Sequence, residues 1–240
     1  ISTTSGSPRS SSATRTSRRK SGSRTTSTTR SSGRSTRNSG AARRNTAAER
    51  VTADARLYAP LDVPKPLGPE CWAVDGPLIR FYGMPFPTRM VVVRLESGGL
   101  WLHSPTQWNA EAEAALAALG PVHALVAPNT IHYAYLPGWA ARHPEAEVHA
   151  VPGVAARAES RGVDFPPHAL LTDTAAPAWA GEIDQRLVTG HPFLTEAVFF
   201  HRRSRTLILS DLIENFEPEK LGWPMRLAAR IAGILAPRGG

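Results

Sequence analysis

Cysteine is nearly absent from this chain: Cys71 stands alone among 240 residues. One thiol cannot close an intrachain disulfide, nor can it build a cysteine-based zinc cage. That usage suits a reducing compartment, with the cytoplasm as the simplest address. Long hydrophobic runs are missing as well. No apolar stretch approaches the ~20 residues a bilayer-spanning helix requires, and no secretory leader core is visible. There is no Met at position 1, so the N-terminus reads as incomplete or processed. Aromatic residues make up 7% of the chain, and the first 50 residues hold none. Acidic groups are missing there too: Glu49 stands against 12 Lys and Arg.

That last imbalance divides the chain. Residues 51–240 carry 16 basic and 19 acidic groups, so the formal net charge of +8 belongs to the N-terminal stretch and not to the rest. A nucleic-acid partner is therefore expected only through the tail. Residues 1–55 are rich in Ser, Thr, Arg and Gly and cannot bury enough apolar surface to offset their chain entropy, which predicts a disordered basic tail. Three roles stay open for it. It is a solvated extension, an organelle transit peptide rich in Ser and Arg, or a basic arm that touches nucleic acid or anionic lipid through Arg18-Arg19-Lys20 and Arg43-Arg44.

Residues 56–240 form one domain's worth of chain. Cys71–Val74 and Leu78–Tyr82 read as two short strands. Arg89–Leu95 is a β-branched strand, and Leu100–His103 is its hairpin partner across Ser97-Gly98-Gly99. Asn109 caps a helix through Leu119 whose apolar positions fall at helical spacing, with Gly120 as its C-terminal stop. Val122–Val126 is a buried strand. A short helix over 137–142, a strand over 147–151 and a short helix over 154–160 follow, an alternation that predicts an α/β domain. Beyond them, strands at 185–189, 196–201 and 206–210 have short connections, the last through the basic turn Arg202–Arg205. Two such halves predict a four-layer αββα sandwich. Leu227, Ile231, Ile234 and Leu235, with Arg226 and Arg230 beside them, make a basic amphipathic helix. It is expected to pack on the sheet, the alternative being a membrane surface.

The hairpin 89–103, the loop Ala127-Pro-Asn-Thr-Ile-His132 through Gly138, the turn Thr189-Gly-His191 and the run Ser204–Asp211 together resemble the metallo-β-lactamase-like hydrolase superfamily. Ala-Pro-Asn-x-x-His with Glu-x-Val-Phe-x-His-x-x-Ser-Arg-Thr-Leu-Ile-x-x-Asp is similar to an uncharacterised domain-of-unknown-function branch of it. The resemblance spans roughly residues 57–235. It implies an αββα fold and a hydrolase of ester, thioester or phosphoester bonds that uses metal-bound water. It also implies a further strand with a last His ligand, so the chain reads as truncated at its C-terminus. The superfamily loop reads Thr-His-x-His-x-Asp-His-x-x-Gly. Set on Gly138, it places Asn129, Thr130, Ala134 and Tyr135 where Thr, His, Asp and His are expected, so only His132 keeps its ligand type. His103-Ser104 takes a strand end where the superfamily often has Asp. The metal site is thus degenerate.

What remains implies at most one Zn or Fe ion, held by His132, His191 and Asp211, with His132 and Asp211 as the catalytic pair. Three protein ligands and an open position for water are what hydrolytic zinc requires. Asn129, Arg205 and Glu196 are the candidate substrate-binding residues. Arg205 is expected to pair with Asp211, and Glu196 with Arg203 or Arg205. The alternative is a non-catalytic module that binds a small molecule or a partner in the inherited cleft. Each candidate also has an ordinary reading: His132 as a hydrogen-bonded loop residue, His191-Pro192 as a turn, Asp211 as a cap, Asn129 as a turn former.

Overall fold

The computed structural model describes residues 56–81, 84–190 and 194–237. The tail predicted over 1–55 and the candidate ligand His191 lie outside the described residues. Seven strands form the larger sheet in sequential order: β1 Lys65–Gly68, β2 Cys71–Phe81, β3 Met84–Arg94, β4 Leu100–His103, β5 Val122–Ala127, β6 Glu147–Ala150 and β7 Ala169–Leu170. β1 to β4 pair antiparallel, and β4 to β7 pair parallel. Each parallel step needs a crossover. Helices α1 Ala110–Ala117, α2 Leu136–Ala140 and α3 Val154–Glu159 supply the three in turn. A second, antiparallel sheet has the order β10 Thr206–Ile208, β9 Glu196–His201, β8 Ile183–Val188. A 3-10 turn, Pro218–Lys220, leads to α4 Trp223–Ala232.

The core lies between the two sheets. Trp101 of β4 meets the edge of Phe199 of β9 with ring centroids 4.9 Å apart, and meets Trp179 at 6.1 Å. All three rings are essentially removed from solvent. Such edge-to-face contacts add to the area burial that drives the sheets together. On the other face of the large sheet, the buried indole N–H of Trp139 in α2 donates to the Thr106 carbonyl at 2.8 Å. Asn109 starts α1 as expected, its side-chain oxygen accepting from Ala112 N at 2.8 Å, with Glu111 and Glu113 in the favourable first turn. The αββα reading therefore holds.

Several local expectations change. Residues 71–81 form one strand, not two; its register shifts between Gly76 and Leu78, at Pro77, which has no N–H for the ladder. Tyr82, the predicted end of that segment, lies outside the described residues. Gly120 does not end α1 through a left-handed backbone. It is absent from the positive-φ glycines, and its role is close approach: a Cβ there would sit 2.3 Å from the Gly98 carbonyl oxygen. β1 and β7 carry no periodic signal; one holds Pro66, and the other is two exposed residues. The face of α4 expected on the sheet is open instead, with Leu227 and Ile231 exposed and Ala229 as its buried residue. Among the described residues no helix is long and apolar enough to cross a membrane.

Candidate functional site

β4 and β5 run parallel, so their carboxyl ends share one rim. Ligands of α/β sheets gather at such rims. Asn129, two residues past β5, is fully buried and organises the loop that follows. Its side-chain oxygen accepts from Ile131 N at 2.9 Å and from His132 N at 3.0 Å. This turns the chain back on itself and sets His132 over the rim. The Asn129 amide group donates to Glu196 Oε2 at 2.9 Å and to Asp211 Oδ2 at 2.8 Å. Asn129 is more than a turn former, because it ties the loop to Glu196 of the second sheet and to Asp211, which follows that sheet's last strand.

Glu196 opens β9 with no exposure at all. It pairs with neither Arg203 nor Arg205. Its carboxylate accepts from Ser210 N at 2.7 Å, from Asp211 N at 2.8 Å and from Asn129. Three donors are what a buried carboxylate needs to remain tolerable. They also fix Asp211, whose backbone Glu196 holds from below. Arg205 must be corrected as well. It is exposed at φ 55° in the turn that opens β10, whereas Asp211 follows the other end of that strand. Among the described residues Arg205 makes no ion pair with it. Arg203 reaches Glu70 at 3.9 Å.

His132 stands between two groups. Its Nδ1 lies 2.5 Å from Ser104 Oγ, and its Nε2 lies 3.3 Å from Asp211 Oδ1 and 3.2 Å from Oδ2. The side chains of His132 and Asp211 are 29% and 28% exposed, so the cluster opens to solvent. Burial acts to raise the Asp211 carboxyl, but hydrogen bonding and charge from His132, with help from Asn129, bring it below the usual range. Asp211 is thus anionic near neutral pH. Glu214 is shifted the other way, by burial and by the charge of Asp211.

Ser104 and His103 are not among the candidate site residues that the sequence offers. The one signal for them was their place at a strand's carboxyl end beside the histidine loop. Ser104 N still donates to Val126 O at 2.9 Å, yet its φ of 53° is left-handed, unusual for a residue with a side chain. His103 is 2% exposed, stacks on Trp101 and meets the edge of Phe199. Burial, then the nearby His132, drive its pKa down to about 3, so it is neutral. Its Nε2 has no hydrogen-bond partner among the described residues.

A resident metal can be tested against this donor set. His132 Nε2 and Asp211 face each other at 3.2–3.3 Å, close enough to share an ion, although Asp211 Oδ2 already accepts from Asn129. Glu196 is saturated, and Thr130, Ala134 and Tyr135 supply no third ligand of the usual kind. Among the described residues no three His, Cys, Asp or Glu side chains gather as a metal group. The described residues therefore do not make a metal centre by themselves; of the predicted trio, His132 and Asp211 lie side by side, and His191 is outside the described residues.

Two facing sheets flanked by helices define the metallo-β-lactamase fold. Solved structures agree. DIM-1 metallo-β-lactamase exposed to ceftazidime and TMB-1 each superpose with a TM-score of 0.51, at 10% identity, over 77% of this chain and 89% of theirs. A metallo-β-lactamase from Pontibacter korlensis matches at 16% identity over 77% of this chain and 91% of its own, with a TM-score of 0.49. Within that fold, residues 70–224 match the model of the domain of unknown function DUF4336, and the chain belongs to that family. No curated protein matches it by sequence.

Proposed function

We propose that this DUF4336 chain is a hydrolase of ester, thioester or phosphoester bonds whose general base is His132, oriented by Asp211. The observation that carries this reading is the His132–Asp211 contact at 3.2 Å, with Asp211 locked in turn by Asn129 and Glu196. A carboxylate on one imidazole nitrogen fixes the tautomer and leaves the other nitrogen free to accept a proton. The described residues do not by themselves complete a metal centre, and this reading routes no step through an ion.

Release of p-nitrophenol from p-nitrophenyl acetate, with matched thioester and phosphoester probes, tests the reading. The expected result is turnover that falls by about 10²-fold or more in His132→Ala, in protein whose metal content is well below one ion per chain. Turnover unchanged by His132→Ala overturns it and leaves the cleft as a binding module. Turnover that appears only with added Zn²⁺, Mn²⁺ or Fe²⁺ overturns the metal-free form of it.

A further inference from the structure

We infer that Ser104 is a covalent nucleophile, so that Ser104, His132 and Asp211 form a serine acyl-transfer triad at the rim of β4 and β5. The inference rests on the reading of His132 as general base and extends it to the class of substrate: carboxylic esters and thioesters, whose acyl group Ser104 takes up.

The geometry assigns one role to each residue. Ser104 Oγ is 2.5 Å from His132 Nδ1, and the opposite nitrogen of the same ring faces Asp211 at 3.2 and 3.3 Å. That is the order nucleophile, base, orienting carboxylate, in which triads are recognised by geometry and not by chain position. The ring is used with Nδ1 toward the hydroxyl, and either imidazole nitrogen can serve as proton acceptor. The backbone points the same way. Ser104 sits at a strand end with φ 53°. A left-handed backbone at a residue with a side chain is strained, and strain of this sort clusters at functional sites. Only 9% of Ser104 is exposed, which keeps its hydroxyl away from bulk water while the half-open His132 and Asp211 leave a way in. Asn129 and Glu196, both fully buried, hold the base and the carboxylate in place.

The step balances without a further reactant. The Ser104 hydroxyl proton passes to His132 Nδ1 as Oγ bonds to the acyl carbon. The bond from that carbon to the leaving oxygen or sulfur breaks, and the leaving group takes the proton from His132. Water then gives a proton to His132 and bonds to the acyl carbon, and Ser104 Oγ departs and recovers its proton. The sum is ester plus water to acid plus alcohol, or thioester plus water to acid plus thiol.

An alkyl fluorophosphonate tests this on the full chain: attack by Oγ expels fluoride and leaves a phosphonyl adduct. Mass spectrometry is expected to place the adduct on Ser104, at a rate reduced ~10²-fold or more in His132→Gln. Ser104→Gly, which accepts the left-handed backbone without strain, is expected to lose ester turnover by ~10³-fold or more while melting within a few degrees of the parent. His132-dependent turnover that survives in Ser104→Gly overturns the nucleophile and leaves the base reading intact. An adduct on Ser104 formed at the same rate in His132→Gln, or no adduct at all, also overturns it. Loss of turnover in His132→Ala with no adduct on Ser104 separates failure here from failure of the function proposed above.

Discussion

Asn129 is the residue on which the site depends most. One buried amide satisfies two loop N–H groups and bridges two carboxylates, each within 3.0 Å. Asn129→Ala leaves four groups without that partner, of which the Glu196 carboxylate is fully buried while Ile131, His132 and Asp211 are partly open to solvent. Each lost buried hydrogen bond costs about 1–3 kcal/mol, with partial relaxation expected. Urea denaturation should therefore show a loss of about 2–4 kcal/mol, large against the ~5–15 kcal/mol that holds a typical domain together. From sequence alone Asn129 reads as a turn residue and a candidate substrate contact, not as a bridge between distant carboxylates. Asn after Pro reads as local chemistry, while its partners Glu196 and Asp211 lie 67 and 82 residues away. Ser104 was hidden for a related reason. A positive φ leaves no mark on residue type when the residue is not glycine, and a hydroxyl becomes a candidate nucleophile only once a base is seen beside it.

At the scale of elements, legibility followed burial. β3 with Val91-Val92-Val93, β4 and β5 were plain, because a strand covered on both faces is written as a continuous apolar run. β7 was not, because two exposed residues carry no pattern. Gly120 shows how the right residue can be noticed for the wrong cause. It looked like a helix stop, but what it provides is room for the Gly98 carbonyl where α1 hands over to β5. Gly120→Ala should therefore destabilise the domain even though its backbone is not left-handed. The added Cβ overlaps backbone and not a flexible side-chain end, so a loss of about 1–3 kcal/mol is expected, read as a lower urea midpoint at unchanged slope.

For the whole molecule, buried histidines add to the response to acid. His103 titrates at about 3 in the folded chain, against ~6.5 when unfolded. His201, bonded to Ser204 at 2.7 Å, is also lowered, chiefly by burial. Both folded pKa values lie below the unfolded one, so below about pH 6.5 the unfolded state binds more protons and stability falls with pH. Above pH 6.5 the penalty is absent. Through His103 it grows by about 1.4 kcal/mol per pH unit until about pH 3. The thermal midpoint should thus drop steadily from pH 7 to pH 5. His103→Phe, which keeps an aromatic ring against Trp101 and Phe199, should flatten that decline. A midpoint that falls equally in both proteins would assign the acid sensitivity elsewhere.

The short bridge between Asn129 and Glu196 joins the large sheet to the small one, reinforced by Ala197 N on Pro128 O at 2.8 Å. Ser104 and His132 belong to one side of that seam, Glu196 and Asp211 to the other. The centre is thus a latch: the sandwich cannot part there without breaking the contacts of Asn129 and His132 with Glu196 and Asp211, and any ligand that touches Ser104 and Asp211 together would act as a clasp across the two sheets.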